Sequence, residues 1–265
     1  MPTDAGRRAA DLLALALLVL MAAALFTRLA AFPGLHGDEA WVGLFADRLR
    51  ARGLYTPHEM NTYTGALYGW LVAKVFAWRG AGVGTLRLPG AVLNVAAWLV
   101  FWRLARRAAG AWGGLAWCAL AASSALVVLH SRVAWEVYAL QPLLAALALT
   151  GAVRRLERGG RAAALLLFYA SLLGAQNHFI FLSLPAALVL AAGAVCARRR
   201  EAAWLDLLTV SLANMLPCVL LFLAKPLIRE AAWPAVEGPA LAAFWLSPLA
   251  ALAALEAAPR WAPRL

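Results

Sequence analysis

Long apolar runs separated by short clusters of arginine leave this chain little choice of fold. The first run, Leu12 to Ala31, matches the roughly 20 residues that a transmembrane helix needs. Its one charge, Arg28, sits near the far end, where a long side chain can snorkel. Further runs follow at about Pro89–Leu104, Trp112–Leu129, Trp135–Val153, Trp204–Ala224 and Pro239–Ala254, and residues 162–195 hold two more if the first is short. The expected fold class is therefore all-α, a polytopic transmembrane bundle of about eight spans in one domain covering residues 1–265. The first run is read as a retained span and not a cleaved signal peptide, because neither a small-residue cleavage site nor a soluble domain follows it.

Composition agrees. Hydrophobic residues make up 64% and charged residues 14%, where soluble domains run near half and a quarter. A net charge of +11 would suggest nucleic acid in a soluble protein. Here the basic residues gather between apolar runs, at Arg7-Arg8, Arg103/Arg106/Arg107, Arg154–Arg161, Arg198–Arg200 and Arg260/Arg264. That is the positive-inside pattern and not a nucleic-acid face. It places the N-terminus in the cytoplasm of a multi-pass protein, which in a bacterium means the inner membrane. Cys118, Cys196 and Cys218 lie in apolar runs without metal-type spacing and read as small packing residues.

Residues 33–88 form the longest stretch without a clear span and are expected to be the first periplasmic loop. Pro33-Gly34 breaks the first helix. From Glu39 to Arg52, Trp41, Leu44, Phe45 and Leu49 recur at helical spacing while Asp47, Arg48, Arg50 and Arg52 fall largely on other faces. This predicts an amphipathic helix lying in the interface and ended by Gly53. Ala66–Trp78, apolar but too short to span, predicts a second juxtamembrane or re-entrant segment. Between them Tyr55–Gly65, with His58, Glu59 and Tyr63, is a polar, aromatic loop. Membrane proteins seldom place so many hydrogen-bonding groups beside lipid without a use for them.

Sorting the 13 acids by side sharpens this. Asp4, Asp11, Glu157, Glu201, Asp206 and Glu256 fall on or near the cytoplasmic face and read as solvated flanks. Asp38, Glu39, Asp47, Glu59, Glu136, Glu230 and Glu237 fall on the outer face, together with all four histidines. Adjacent helical residues point about 100° apart, so Asp38 and Glu39 are expected to divide two jobs. One would face a cavity, and the other would cap a helix or hold a cation. Spacing alone leaves it equally open that Asp38 is only the N-cap of a helix starting at Glu39. His36-Gly37-Asp38 could ligate a metal, but two residues are not a site. Ser131-Arg132 with Glu136 fits a phosphate clamp beside a carboxylate, since the arginine fork matches phosphate oxygens. It also fits an interfacial arginine with a counter-ion. His178 on its own reads first as a packed loop residue. Trp41, Tyr55, Tyr63, Tyr68, Trp70 and Trp78 read first as an interfacial belt and only second as platforms for sugar rings.

Four signatures carry a resemblance: Gly37-Asp38-Glu39-Ala40 after the first span, Tyr63-Thr64-Gly65-Ala66-Leu67-Tyr68-Gly69-Trp70-Leu71, Arg87-Leu88-Pro89, and His130-Ser131-Arg132-Val133-Ala134-Trp135-Glu136. In this order they resemble the membrane-embedded GT-C glycosyltransferases. The nearest are the protein O-mannosyltransferase and aminoarabinose transferase group, in its small bacterial branch with the dolichyl-phosphate-mannose-protein mannosyltransferase-like domain. The resemblance covers roughly residues 10–200. It implies a polyprenyl-phosphate-linked sugar donor, a periplasmic acceptor (glycan, lipid or protein) and an inverting mechanism, with Asp38 as the base that deprotonates the acceptor. Glu39, His58, Tyr63, Tyr68, Arg87, Arg132, Glu136 and His178 are the expected substrate-binding residues, with Asp38 and Arg132 bordering one outward-facing cavity. A divalent metal ion stays open, with His36 and Glu39 as candidate ligands. Three departures stand out: Ala66 replaces a usual proline, Glu136 stands where an aspartate is commoner, and Thr64 stands where some relatives carry a charged residue. Relatives also usually have more spans after the eighth, so a compact member, a truncated product and an inactive remnant are all compatible with this length. A catalytically inactive relative that binds the lipid carrier or scaffolds a partner is the alternative. A transporter fits less well, because the polar groups collect at one interface and not at midplane in broken spans.

Overall fold

The computed structural model describes residues 3–53, 64–199, 201–224 and 239–257. Every regular element among them is helical, apart from one isolated antiparallel bridge between Thr64 and His178. The helices are α1 (Asp4–Phe26), α2 (Gly37–Arg52), α3 (Leu67–Arg79), α4 (Val83–Ser123), α5 (Ala125–His130), α6 (Glu136–Ala139), α7 (Gln141–Arg158), α8 (Arg161–Asn177), α9 (Ser183–Arg199), α10 (Ala202–Ala224) and α11 (Pro239–Ala257). A 3-10 turn, Phe179–Leu182, precedes α9.

Four segments are long and apolar enough to cross a membrane, Asp4–Phe26, Val83–Ser123, Phe179–Arg199 and Ala202–Leu221. The first shows why lipid is the fitting solvent. Ala10, Ala14, Leu18, Met21 and Leu25 form its buried stripe, yet Leu12, Leu13, Val19 and Leu20 on its other faces are apolar and exposed. A helix that is apolar all round needs either a protein interior or hydrocarbon around it.

The longest helix, α4, is a hairpin. Ala109 and Gly110 leave helical geometry, with φ +70° at Gly110. Phe101 and Trp117 then stack across the break with ring centroids 6.0 Å apart, which a continuous helix could not achieve at that spacing. The two arms are so close that a Cβ on Gly114 would lie 3.0 Å from Arg106 Cβ. In the next hairpin, Gly159 and Gly160 both take positive φ between α7 and α8. There a Cβ on Gly151 would meet the Leu167 backbone nitrogen at 2.6 Å. Small residues (Ala148, Ala152, Ala163, Ala164) fill the rest of that contact, as they do wherever membrane helices approach closely.

Several expected boundaries shift. The second apolar helix opens at Val83 and not at Pro89, so Arg87 and Pro89 lie inside its first turns. The third run breaks at Ser124, whose extended backbone and side chain start α5. The fourth does not run from Trp135; α6 comes first and α7 begins at Gln141. Gln176-Asn177-His178 does mark the end of α8. Of the acids expected to be solvated flanks, three tie helices together at the arginine-rich end: Asp11 with Arg106 at 2.6 Å, Glu157 with Arg107, and Asp206 with Arg155 at 2.6 Å. Solvent screens such partly exposed pairs, so they fix which helices adjoin more than they add stability.

Candidate functional site

At the opposite end of the bundle, one arginine organises the fold. Arg87 presents five N–H donors, and all five are used inside the protein. Nε and Nη2 grip the Glu39 carboxylate at 2.8 and 2.7 Å. Nη1 donates to the Leu29 and Pro33 carbonyls at 3.0 and 2.8 Å, and Nη2 also donates to Gly34 at 3.1 Å. Both side chains of the pair are fully buried. Glu39 accepts two further bonds, from Ala134 N–H at 2.7 Å and from His36 N–H at 3.1 Å. Burial pushes its carboxyl pKa up, but the Arg87, Ala134 and His36 hydrogen bonds outweigh that and hold it below the ordinary carboxylate value.

Local sequence explains why Glu39 points there. His36 is the N-cap of α2 and Glu39 is its third helical residue, so the two form a capping box. The N-cap is thus His36 and not Asp38, which is free of that task. Asp38 follows in the first turn, its N–H donating to His36 Nδ1 at 3.2 Å and its carboxylate 3.5 Å from the same nitrogen. Its side chain is 31% exposed.

Glu136 stands at the start of α6, only 2% exposed and near enough for the Asp38 charge to act on its carboxyl. Trp135 Nε1 donates to it at 3.0 Å, and the Thr64 hydroxyl bonds it from the far side. Burial, with the Asp38 charge nearby, pushes its carboxyl up to about 7. Thr64 is held in place by the chain pairing: it bridges His178, and Gly65 N–H donates to Asn177 O at 2.9 Å. Asn177 Nδ2 in turn donates to the Glu136 carbonyl at 2.9 Å. Four separate stretches therefore converge on two carboxylates, one buried and readily protonated, the other open to the surface.

Two predictions arise from this geometry. A Cβ on Gly65 would lie 2.0 Å from the Gln176 carbonyl oxygen, which no side-chain shift can relieve. Gly65→Ala is expected to part residues 64–65 from the end of α8 at a cost of about 1–3 kcal/mol, measured as a lower thermal midpoint in detergent. Glu136 makes stability depend on pH. Unfolded, the group releases its proton near 4.5; folded, near 7. Between these values the unfolded state binds fewer protons, so stability is full below 4.5 and falls as pH rises through 7. Glu136→Gln is expected to remove this part of the slope when unfolding is followed from pH 4 to 8.

The other sequence-derived site residues divide sharply. Arg132 is 4% exposed and its guanidinium is spent on the main chain. It donates to the carbonyls of Ala24, Leu25, Thr27 and Phe32 at 2.5–2.8 Å and so caps the end of α1. Arg87 and Glu39 are likewise spent on each other and on the backbone, so neither is offered to a substrate. Tyr68 is fully buried, its hydroxyl bonded to the Leu86 carbonyl at 3.2 Å. His178 is 6% exposed and accepts the Ile180 N–H on Nδ1. His58 and Tyr63 lie outside the described residues. As metal ligands His36 and Glu39 do not fit: both Glu39 oxygens and the His36 Nδ1 are occupied by protein donors, and the described residues contain no group of three ligating side chains. Thr64, Trp135 and Asn177 were not among the expected substrate-binding residues. The repeated pairing of polar with aromatic residues at 130–138 and 176–178 is the signal that could have found them. No protein-family model, curated protein or solved structure matches the chain.

Proposed function

We propose that this protein is an integral-membrane glycosyltransferase that moves a sugar from a polyprenyl-phosphate donor to an acceptor at the Asp38 end of the bundle, with Asp38 as general base. The observation that carries the reading is the pairing at that end: Asp38 partly open, beside Glu136 buried and readily protonated, both on a rigid frame. In the reaction, Asp38 takes the proton of an acceptor hydroxyl as its oxygen attacks the anomeric carbon. The bond from that carbon to the phosphate oxygen breaks, and the polyprenyl phosphate leaves with the electron pair. When Glu136 holds its proton, it adds no second negative charge beside the departing phosphate. Arg28, exposed in the turn after α1 at this end, is one cation available to that charge.

Orientation follows the same reading. Helical passes over residues 4–26, 83–108, 111–130, 141–158, 161–177, 179–199, 202–224 and 239–257 support eight spans. The arginine clusters support a cytoplasmic N-terminus and a periplasmic site in a bacterial inner membrane. The exposed Leu44 and Trp78 support α2 and α3 as juxtamembrane helices. One observation favours a second reading, an inactive relative that binds the lipid carrier: Arg87 and Arg132, both expected to bind substrate, are committed to the fold. A transfer assay in native membranes, with a panel of radiolabelled polyprenyl-phosphate sugars, separates the two. Label moving to an acceptor only when the chain is present is the expected result. Binding of the carrier without transfer of any sugar would leave the inactive relative.

A further inference from the structure

A cavity of 490 Å³ opens between the two arms of α4, α5 and the start of α7, within the roughly 300–1,000 Å³ of small-molecule sites. Its walls are two-natured. Trp98, Phe101, Trp117, Leu120 and Leu126 supply the apolar part, and Leu120 and Leu126 are 71% and 66% exposed, so the opening lies on the outer surface of the bundle. The other end holds His130 and Tyr138, whose rings stack at 4.1 Å. Neither the His130 ring nitrogens nor the Tyr138 hydroxyl has a hydrogen-bond partner among the described residues. Asn94 and Ser131, also at this end, are bonded to each other at 3.1 Å. Tyr138 meets the edge of Trp135 at 4.9 Å, and Trp135 donates to Glu136. The polar end of the cavity is therefore one side chain away from the carboxylate pair.

A slot that is open to lipid, apolar along its length and lined at one end by free hydrogen-bonding groups fits an amphiphile and not a compact polar molecule. We infer that this cavity holds the hydrocarbon chain of the lipid-linked substrate, with the polar head of that lipid leaving it at His130 and Tyr138 toward Glu136 and Asp38. The inference rests on the glycosyltransferase reading for the identity of the lipid. It adds the place of the chain, which the carboxylate pair does not give. The flat faces of Trp98, Phe101 and Trp117 suit an isoprenoid, which carries a planar, methyl-branched double bond in every five-carbon unit, whereas a phospholipid chain carries few double bonds and no methyl branches at them.

The test is photolabelling of the full-length protein in nanodiscs with a diazirine-bearing polyprenyl phosphate, mapped by mass spectrometry. Label is expected on Trp117, Leu120 and Leu126, displaced by unlabelled polyprenyl phosphate but not by phosphatidylglycerol. Leu126→Trp fills the mouth from an exposed position and is expected to cut the label at least tenfold, with an unchanged circular dichroism spectrum. His130→Ala is expected to weaken displacement by polyprenyl phosphate. Label confined to other helices, or displaced equally by phosphatidylglycerol, overturns the inference. Because labelling needs no chemistry, a protein that is labelled here but transfers no sugar retains this site and loses the transferase reading. One that transfers sugar without label at this cavity does the reverse.

Discussion

Arg87→Ala is expected to cost about 3–5 kcal/mol, the usual loss when one partner of a buried ion pair is removed and the other stays charged in the interior. At roughly 2–4 °C per kcal/mol for a chain of this size, the thermal midpoint in detergent falls by about 6–20 °C. The size follows from how much one side chain holds. Without it the Glu39 carboxylate keeps only two backbone donors, and the carbonyls of Leu29, Pro33 and Gly34 lose theirs. Arg87→Lys recovers only part of the loss, because an ammonium on a flexible stem cannot reproduce a planar five-donor fork. The pair Arg87→Met with Glu39→Leu is expected to be less harmful than Arg87→Ala, since no charge is then left buried. An Arg87→Ala protein that melts with the wild type would mean that this end of the bundle is held by something else.

Asp38→Asn is expected to lower sugar transfer by about 10²–10⁴, the usual worth of a positioned general base, with the loss in kcat and little change in KM for the donor. Stability should stay within about 0.5 kcal/mol of wild type, because the Asp38 side chain is partly exposed and neither caps α2 nor belongs to the buried ion pair. That contrast with Arg87→Ala separates chemistry from architecture: one substitution stops transfer in a folded protein, the other unfolds the frame. Transfer at the wild-type rate by Asp38→Asn in native membranes would remove Asp38 from the role of base.

The helices were legible because hydrophobic runs and arginine clusters are local signals. The first span as an element, the stop at Gly53 and the turn at Gln176-Asn177-His178 read directly from neighbouring residues, whereas the ends of α1 fall at Asp4 and Phe26 and not at Leu12 and Ala31. The jobs of the charged residues were not, because those depend on partners distant in the chain. Arg87 meets Glu39 across 48 residues, and Arg132 reaches carbonyls more than 100 residues earlier. An arginine beside a carboxylate at the edge of a span looks the same in sequence whether it waits for phosphate or closes a helix. One local clue was available. His36-x-x-Glu39 has the spacing of a capping box, and reading it as one would have released Asp38 from the N-cap and assigned Glu39 to the helix start. The pairing of Asp38 with Glu136 had no such clue, since it depends on contacts distant in the chain, such as the Ala134–Glu39 hydrogen bond.

The Arg87 and Arg132 guanidinium groups both grasp the main chain between residues 24 and 34, and Arg132 adds only one side-chain contact there, lying 5.8 Å from the centre of the Phe32 ring. The shape of that turn is thus written in peptide carbonyls, which every amino acid supplies alike. A saturation scan should find the exposed positions Ala30, Ala31 and Gly34 largely interchangeable, while the buried Leu25 and Leu29, and Arg87 and Arg132 far away along the polymer, tolerate little change. Evolution would be free to respell those exposed letters as long as it left the two distant clasps alone.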